Sequence, residues 1–340
     1  MSIDPAARRT LGRSAVAVSR LGLGAAPYGN LMAAAADADL AATTRAALGA
    51  GVVHFDTAPF YGHGLSEHRL GATLRDVPRD SYVLSTKVGR LLKPRRGGAG
   101  SDGPFTAPLP FDVVYDYSFD GTLRSLDDSL QRLGIARIDI ALIHDVNRRW
   151  QGERVEERYR EAMAGAFPAL ARLRSEGVIG AIGVGVNDVE ILRRFAADGD
   201  FDCFMLAGRY TLLDTGALEF LLPECDAKGI GILLAAPYNS GILATGAKPG
   251  ARFWYEEAPP AIMDRVARIE AVCARHGVAL PAAALQFPLG HRAVASVVTG
   301  FRAPGEVAAA IAGLRAPIPA AFWHDLRQDG LIPAHAPLPP

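Results

Sequence analysis

The chain has 340 residues, 49 % of them hydrophobic, which allows a substantial core in two domains or in one large barrel. Its 36 basic and 36 acidic residues give a formal charge of zero, which argues against a general electrostatic affinity for nucleic acid or for an anionic membrane. Three cysteines without a CxxC spacing argue against a disulfide framework, and neither an apolar leader nor a membrane-length apolar run is visible. We therefore expect a cytoplasmic protein that binds neither nucleic acid nor membranes.

Strand-like and helix-like segments alternate along the chain. The first strand-like run, "SRLGLGAAPYG", ends in glycines and precedes a helix-like segment over 39–51. Further apolar runs predict strands over 52–58, 82–89, 138–145, 179–186, 201–208, 230–237 and 293–300. Amphipathic spacing, in several cases closed by a glycine, predicts helices over 66–76, 118–134, 162–177, 188–198, 217–229, 261–277 and 304–314. Ser66 is the predicted N-cap of the first helix in that series.

Eight strand–helix pairs predict the fold class. Several strands are continuous apolar runs, as expected where a parallel sheet is buried on both faces. Eight such pairs in this length indicate an α/β protein with a (β/α)8 TIM barrel, one domain over 1–340. The rival, an open doubly wound sheet, usually carries a glycine-rich phosphate fingerprint after its first strand. Here "GLGAAPYG" has Pro27 where the third glycine should fall, so the fingerprint fails.

Two stretches interrupt the repeat and are predicted to be substrate-loop insertions, over about 91–117 and 244–260. Loops after barrel strands lie on the face where barrel active sites form. Their aromatic side chains are predicted to line a pocket, with loop anchoring as the alternative: Phe105, Phe111, Tyr115, Phe253, Trp254 and Tyr255. The proline-rich tail "IPAHAPLPP" is predicted to be loosely held.

Four polar residues occur at or just behind the ends of three successive strands. Asp56 ends the second strand, Tyr61 follows it, and Lys87 and His144 end the third and fourth strands. A barrel brings these ends to one mouth. There an ammonium would lower the pKa of the phenol, the carboxylate would hold the ammonium, and the imidazole would bind a substrate oxygen. Such a proton donor suits hydride transfer to or from a nicotinamide. Each residue alone also fits a cap, packing or surface role.

These residues lie in segments that resemble the aldo-keto reductase superfamily. The similar segments are "GVVHFDTAPFYGHGLSEHRLGATL", "VLSTKVG" and "RSLDDSLQRLGIARIDIALIHD", and the likeness extends over essentially the whole chain. The resemblance implies that Asp56, Tyr61, Lys87 and His144 are a catalytic tetrad in which Tyr61 donates or accepts the proton. It also implies NAD or NADP as cofactor, bound without a Rossmann fold.

The resemblance further implies cofactor-binding positions after the later strands. They are Asn187, Ser240, Gly241, Leu243, Gly300, Arg302 and Glu306. Arg302 would reach the adenosine 2′-phosphate or the pyrophosphate, with a surface arginine as the alternative. Ala235 stands where an aromatic residue often stacks on nicotinamide, and Ala207 and Ala310 replace a usual glutamine and asparagine.

Finer signatures, "YDYSFDGTLRSLDDSLQRLG" and "APYNSGILATG", are similar to a branch that oxidises sugars such as L-fucose and D-threo-aldoses at C1. Pyridoxal 4-dehydrogenases share much of this pattern, so a cyclic hemiacetal sugar or pyridoxal is the expected substrate. A general aldehyde or ketone reductase is an alternative, and a non-catalytic NAD(P)H-binding protein is another. His63 and His68 lie five apart with no third ligand, so no metal site is predicted. A homo-oligomer is compatible with the sequence.

Overall fold

The computed structural model describes residues 2–97 and 103–339. Its strands are β1 Arg8–Thr10, β2 Ala17–Ser19, β3 Leu21–Gly24, β4 His54–Asp56, β5 Val83–Val88, β6 Arg90–Pro94, β7 Phe111–Tyr115, β8 Ile140–His144, β9 Ala181–Val186, β10 Cys203–Ala207, β11 Gly231–Ala235, β12 Arg252–Phe253, β13 Glu256–Glu257 and β14 Val294–Gly300.

Its α-helices are α1 Asp37–Gly49, α2 Leu65–Leu74, α3 Phe119–Leu133, α4 Arg148–Gln151, α5 Val155–Glu161, α6 Phe167–Ser175, α7 Val189–Asp198, α8 Leu221–Lys228, α9 Ile242–Thr245, α10 Pro260–His276, α11 Leu280–Gln286, α12 Pro304–Arg315 and α13 Ala320–Gln328. Short 3₁₀ turns cover Ala26–Gly29, Arg79–Ser81, Gly152–Arg154, Gly216–Leu218, Asn239–Gly241 and Phe287–Gly290, and a π-helical turn covers Ala162–Ala166.

Eight strands close into a parallel barrel in the order β3, β4, β5, β8, β9, β10, β11 and β14, and β14 pairs again with β3. Helices cover its outside, and the buried apolar residues of strands and helices form the core. The predicted single-domain (β/α)8 barrel is therefore confirmed.

Strand register places the polar residues of the strand ends side by side. Asp56 at the end of β4 pairs with Ser85 of β5, and Lys87 pairs with Leu142 of β8. His144, at the end of β8, pairs with Gly185 of β9. Because the strands are parallel, the side chains that follow these pairs reach the same mouth of the barrel.

Three antiparallel hairpins add to the barrel. β1 pairs with β2 before the first barrel strand, β6 with β7 in a hairpin that begins at Arg90 and continues into the 91–117 insertion, and β12 with β13 inside the 244–260 insertion. The two insertions are thus partly ordered as β-hairpins. None of the three hairpins was predicted, because strands this short, with few fully buried residues, carry little hydrophobic periodicity.

Two local predictions are wrong. Ser66 is not the N-cap of α2, because the helix begins at Leu65 after Gly64 and the Ser66 hydroxyl donates to the Ala25 carbonyl at 2.6 Å. The proline-rich tail is not loosely held, because Ala336 is fully buried and its carbonyl accepts a hydrogen bond from Arg327 at 2.5 Å. A buried, hydrogen-bonded backbone is held in place even where its sequence suggests a loose terminus.

Cys203, Cys225 and Cys273 are buried and free. Burial raises the pKa of the Cys203 thiol well above its usual range, so this group is chemically inert. Among the described helices, none is long and apolar enough to cross a membrane.

Candidate active site

A buried ion pair lies at the ends of β4 and β5. The Lys87 ammonium donates to Asp56 Oδ2 at 2.6 Å and to the Thr57 carbonyl at 2.8 Å. The side chains of Lys87 and Asp56 are only 2 % and 3 % exposed. The predicted contact between them is confirmed. A buried charge pair of this kind orders its surroundings only while both partners are present.

Ser85 and His54 form a chain of hydrogen bonds that ends at the Asp56 carboxylate. The Ser85 hydroxyl donates to Asp56 Oδ1 at 2.7 Å, and His54 Nε2 lies 3.0 Å from the Ser85 oxygen. Burial raises the pKa of Asp56, and the Lys87 ammonium opposes that rise. Burial also lowers the pKa of His54 to about 3, so this ring is neutral. Each carboxylate oxygen of Asp56 therefore accepts a hydrogen bond, Oδ1 from Ser85 and Oδ2 from Lys87, which fixes where Lys87 lies.

The position of Tyr61 depends on close contact between the backbones of Gly29 and Gly62. A Cβ at Gly29 would lie 2.4 Å from the Tyr61 carbonyl carbon, and a Cβ at Gly62, which has φ +64, would lie 2.7 Å from the Gly29 Cα. A side chain at either glycine would push the loop away. In this position the Tyr61 ring lies 4.8 Å from Lys87 Nζ and its centroid lies 6.0 Å from that of His144.

The predicted lowering of the Tyr61 pKa is not observed in this structure. Burial raises the pKa of Tyr61 well above its usual range, and the carboxylates of Asp56 and Asp145 add to the rise. Asp56 offsets the charge of Lys87, so the ammonium cannot act on the phenol as an isolated cation would. Tyr61 is a phenol at neutral pH, ready to donate a proton.

His144 is neutral and enclosed. Burial, together with the positive charges of Arg90 and Lys87, lowers the pKa of His144 well below its usual value. Arg90 Nη1 hydrogen-bonds to His144 Nδ1 at 3.3 Å, and the Tyr117 hydroxyl donates to the His144 carbonyl at 2.6 Å. The four residues predicted from the strand ends are thus brought together at one mouth.

Arg90 and Asp145 belong to the site although the sequence analysis did not select them. Arg90 Nη2 donates to Asp145 Oδ2 at 2.9 Å, and the Arg90 side chain is 1 % exposed. The signal was available, because each residue closely follows a tetrad member along the chain, in "TKVGR" and "IHD". An arginine after a buried strand is usually solvent-exposed, so only the fold shows that this one points inward.

A cavity of about 350 Å³ opens at this mouth. Tyr61, Lys87 and His144 line it together with Asp145. Its volume is that of a small-molecule site. The walls include Met205, Ala207, Ala235 and Ala236, so the two alanines that depart from the family pattern both face the cavity.

The aromatic walls differ in part from the prediction. Phe105, Trp254 and Tyr255 line the cavity, whereas Phe111, Tyr115 and Phe253 do not. Phe60 and Trp150 also line it and were not selected from the sequence. Phe60 immediately precedes Tyr61, and Trp150 ends the "NRRW" segment after β8.

Three of the residues predicted to bind cofactor lie close to the cavity. Asn187 borders it and accepts a hydrogen bond from the Asn147 amide at 3.0 Å. Ser240 borders it and accepts from the Tyr255 amide at 3.0 Å. Gly241 has φ +102, and no atom lies within 4 Å of the position of a Cβ there. Their role stays a prediction.

The other predicted cofactor positions do not line the cavity. Leu243 is fully buried in the hydrophobic core, and its amide donates to the Tyr238 carbonyl at 3.2 Å. Gly300 ends β14. The Arg302 amide donates to Glu306 Oε2 at 2.6 Å, and its guanidinium donates to the Leu31 carbonyl.

The residues around the mouth fit a nicotinamide dinucleotide. Two buried polar atoms here, Asn239 Oδ1 and Arg302 Nε, have no hydrogen-bond partner among the described residues. Buried polar atoms are normally satisfied, so a missing ligand is a direct explanation. The open backbone at Gly241 offers close approach to a phosphate. Among residues 2–97 and 103–339, no group of three His, Cys, Asp or Glu side chains could hold a metal ion.

Comparison with known sequences matches the chain to one protein family and to two similar dehydrogenases. The profile of the Aldo/keto reductase family matches residues 20–328. The chain is 40 % identical to a pyridoxal 4-dehydrogenase of Microbacterium luteolum, over 98 % of this chain and all of that protein. It is 41 % identical to a D-threo-aldose 1-dehydrogenase of a Pseudomonas species, over 98 % of this chain and 99 % of that one.

A solved structure supports the fold. An aldo-keto reductase of Bacillus halodurans, in its holo form, superposes with a TM-score of 0.73 over 97 % of both chains. At 23 % identity this likeness concerns the architecture alone.

Proposed function

The chain belongs to the aldo/keto reductase family and is an NAD(P)-dependent oxidoreductase, and from this premise we propose that it oxidises a cyclic aldose at C1 to the lactone. The proposed sugars are of the L-fucose or D-threo-aldose type. The observation that carries the proposal is the tetrad assembled around one cavity, with Lys87 bound to Asp56 at 2.6 Å and 4.8 Å from the Tyr61 ring.

Each tetrad member has a distinct role in this reaction. When bound, the nicotinamide supplies the hydride acceptor. Tyr61 takes the proton of the C1 hydroxyl, and its hydroxyl donates that proton back in the reverse direction. His144 donates a hydrogen bond to the same substrate oxygen. Lys87 balances the Asp56 carboxylate, which would otherwise oppose formation of the Tyr61 phenolate.

The cavity suits a sugar ring. Aromatic walls at Phe60, Trp150 and Trp254 offer flat apolar faces. Asp145 and Arg149 also line the cavity and offer an acceptor and donors for hydroxyl groups.

Pyridoxal is the second candidate. It forms a cyclic hemiacetal that is oxidised to a lactone, and the 40 % identity to a pyridoxal 4-dehydrogenase favours it as much as the 41 % identity favours an aldose. The same aromatic walls would accept its ring. A protein that only binds NAD(P)H is disfavoured, because binding alone does not need Lys87 beside Tyr61.

Initial rates of NAD⁺ and NADP⁺ reduction test the proposal with L-fucose, D-arabinose, L-galactose and pyridoxal. Rapid reduction with a sugar is the expected result. Activity with pyridoxal alone would replace the sugar by the second candidate. If none of the four is oxidised and the protein instead reduces simple aldehydes with NADPH, both the aldose and the pyridoxal candidates are contradicted and a general reductase is indicated.

The pKa of Tyr61 predicts how the rate depends on pH. Because burial raises this pKa well above 10, the phenolate that oxidation needs is a small fraction at neutral pH. That fraction grows about tenfold per pH unit below the pKa. We expect kcat/KM for oxidation to rise steeply between about pH 7 and pH 9, while aldehyde reduction, which needs the phenol, stays level. Initial rates in both directions check this, and a level oxidation profile would contradict it.

We further propose that NAD is preferred over NADP. Glu306 stands in the first turn of α12 and accepts the Arg302 amide, at the position where the resemblance places the adenosine end of the cofactor. The resemblance also places Arg302 there, but its guanidinium donates to the Leu31 carbonyl, so a 2′-phosphate would meet the Glu306 carboxylate, and like charges repel. Glu306→Gln is expected to raise the NADP⁺/NAD⁺ ratio of kcat/KM by about tenfold. Glu176→Gln, at the C-terminal end of α6, should leave the ratio unchanged; an unchanged ratio in Glu306→Gln would refute the repulsion.

A further inference from the structure

Arg90 is among the largest fully buried side chains in the described part of the chain. It begins β6, three residues after Lys87, and points into the mouth of the barrel. Its guanidinium carbon lies 4.0 Å from the Phe60 ring centroid, 5.1 Å from that of Tyr115 and 5.4 Å from that of Trp150. A guanidinium is costly to bury, so its partners should explain why it lies there.

Those partners are the two residues that end and follow β8. Arg90 Nη2 donates to Asp145 Oδ2 at 2.9 Å, while Nη1 donates to His144 Nδ1 at 3.3 Å. Asp145 balances the charge, and the planar fork of the guanidinium spans both groups at once. The same Asp145 oxygen lies 3.3 Å from His144 Nε2.

We propose that Arg90 is a positioning residue that holds His144 as the tautomer with its proton on Nε2. A guanidinium can only donate hydrogen bonds, so the ring nitrogen that it contacts must accept. Nδ1 therefore carries no proton, and the proton of the neutral ring lies on Nε2. Nε2 is then a hydrogen-bond donor, the property that the proposed function requires of His144 toward a substrate oxygen. The inference rests on that function.

The backbone around His144 is braced to keep this contact. Asp145 has φ +54, a left-handed conformation that is strained for a residue with a side chain. The Tyr117 hydroxyl holds the His144 carbonyl at 2.6 Å, and the Gln151 amide holds the Asp145 carbonyl at 3.0 Å. These bonds fix the turn that brings the Asp145 carboxylate back to Arg90.

The tautomer can be measured in the resting protein without substrate. Histidine labelled with ¹⁵N gives different two-bond ¹H–¹⁵N correlations for the two neutral tautomers, and His144→Asn identifies which of the eight histidines is His144. We expect the Nε2–H form in the native protein. Arg90→Met should give a mixture of the two neutral tautomers, because the Asp145 oxygen 3.3 Å from Nε2 still favours the Nε2–H form, and Arg90→Met with Asp145→Asn should give a larger Nδ1–H share.

Kinetics provide the second readout. Arg90→Met is expected to lower kcat in proportion to the lost Nε2–H fraction, up to about 100-fold, the usual cost of losing one donor to a reacting oxygen, with the Kd for the cofactor unchanged. Arg90→Lys should remain impaired, because an ammonium cannot span His144 and Asp145 as the fork does. If Arg90→Met does not fold, the double variant with Asp145→Asn removes the unpaired carboxylate and serves instead.

Arg20→Met is the matched control. Arg20 is a partly buried arginine that donates to the carbonyls of Val294, Ala295 and Leu289 at the opposite end of the barrel. Its loss should leave kcat and the His144 tautomer unchanged.

Two results would overturn the inference: an Nδ1–H ring in the native protein, or an Nε2–H ring and native kcat in Arg90→Met. Failure of the proposed function looks different. In that case no sugar is turned over, while the ring is still Nε2–H and still depends on Arg90.

Discussion

Replacing Tyr61 by Phe is expected to lower kcat by about 10³-fold, the usual contribution of a general acid or base. Phe keeps the ring against Phe105 and near Lys87, whose Nζ lies 4.8 Å from the ring centroid, and removes only the hydroxyl that moves the proton. The cavity keeps its shape, so the Kd for NAD(P)⁺ should stay within about twofold of native.

Loss of turnover in Tyr61→Phe with cofactor binding retained would show that Tyr61 has a chemical role and not only a structural one. Steady-state rates with the best substrate of the panel and fluorescence titration with the cofactor measure the two quantities. Tyr82→Phe is the matched control, because Tyr82 is buried immediately before β5, at the opposite end of the barrel. Native turnover in Tyr61→Phe would refute the role of Tyr61 as proton donor and acceptor.

Replacing Lys87 by Met is expected to impair both stability and catalysis. It leaves the Asp56 carboxylate buried without its partner, which costs about 3–5 kcal/mol of unfolding free energy. It also leaves an uncompensated negative charge next to Tyr61 and so opposes the phenolate. At a separation near 4.8 Å and an effective dielectric constant of about 20, one charge changes the energy by about 3 kcal/mol, or about 10²-fold in kcat.

A double variant separates these two effects. Asp56→Asn with Lys87→Met removes both charges, so most of the lost unfolding free energy should return. The oxidation rate should rise above that of Lys87→Met, because the carboxylate that opposed the phenolate is gone, and should stay below native only by the part of the Lys87 charge that Asp56 does not offset. Chemical denaturation and steady-state kinetics measure the two, with Lys228→Met on α8 as a control for loss of a lysine. Native activity in the double variant would show that the pair has only a structural role.

Hydrophobic runs and glycine signals predicted the barrel because a closed parallel sheet needs apolar residues on both faces of every strand. The insertions over 91–117 and 244–260 were predicted because they break an otherwise regular repeat. The hairpins within them were not predicted. Short strands on the surface are stabilised by backbone pairing with each other and leave little pattern in the side chains.

The sequence by itself determined which four residues meet at the mouth. Asp56, Lys87 and His144 end successive strands, and Tyr61 follows the first of them, so the parallel topology alone makes them neighbours. Residue order is enough to predict this meeting, because the strand ends of a parallel barrel converge on one mouth regardless of how each side chain is oriented.

Only the tertiary structure decided the electrostatic state of those residues. The pKa of Tyr61 is raised because the loop closes around it and because Asp56 offsets Lys87. The tautomer proposed for His144 depends on Arg90, whose inward direction depends on the β6–β7 hairpin and on the turn at Asp145. Burial and distance set such properties, and neither can be read from residue order.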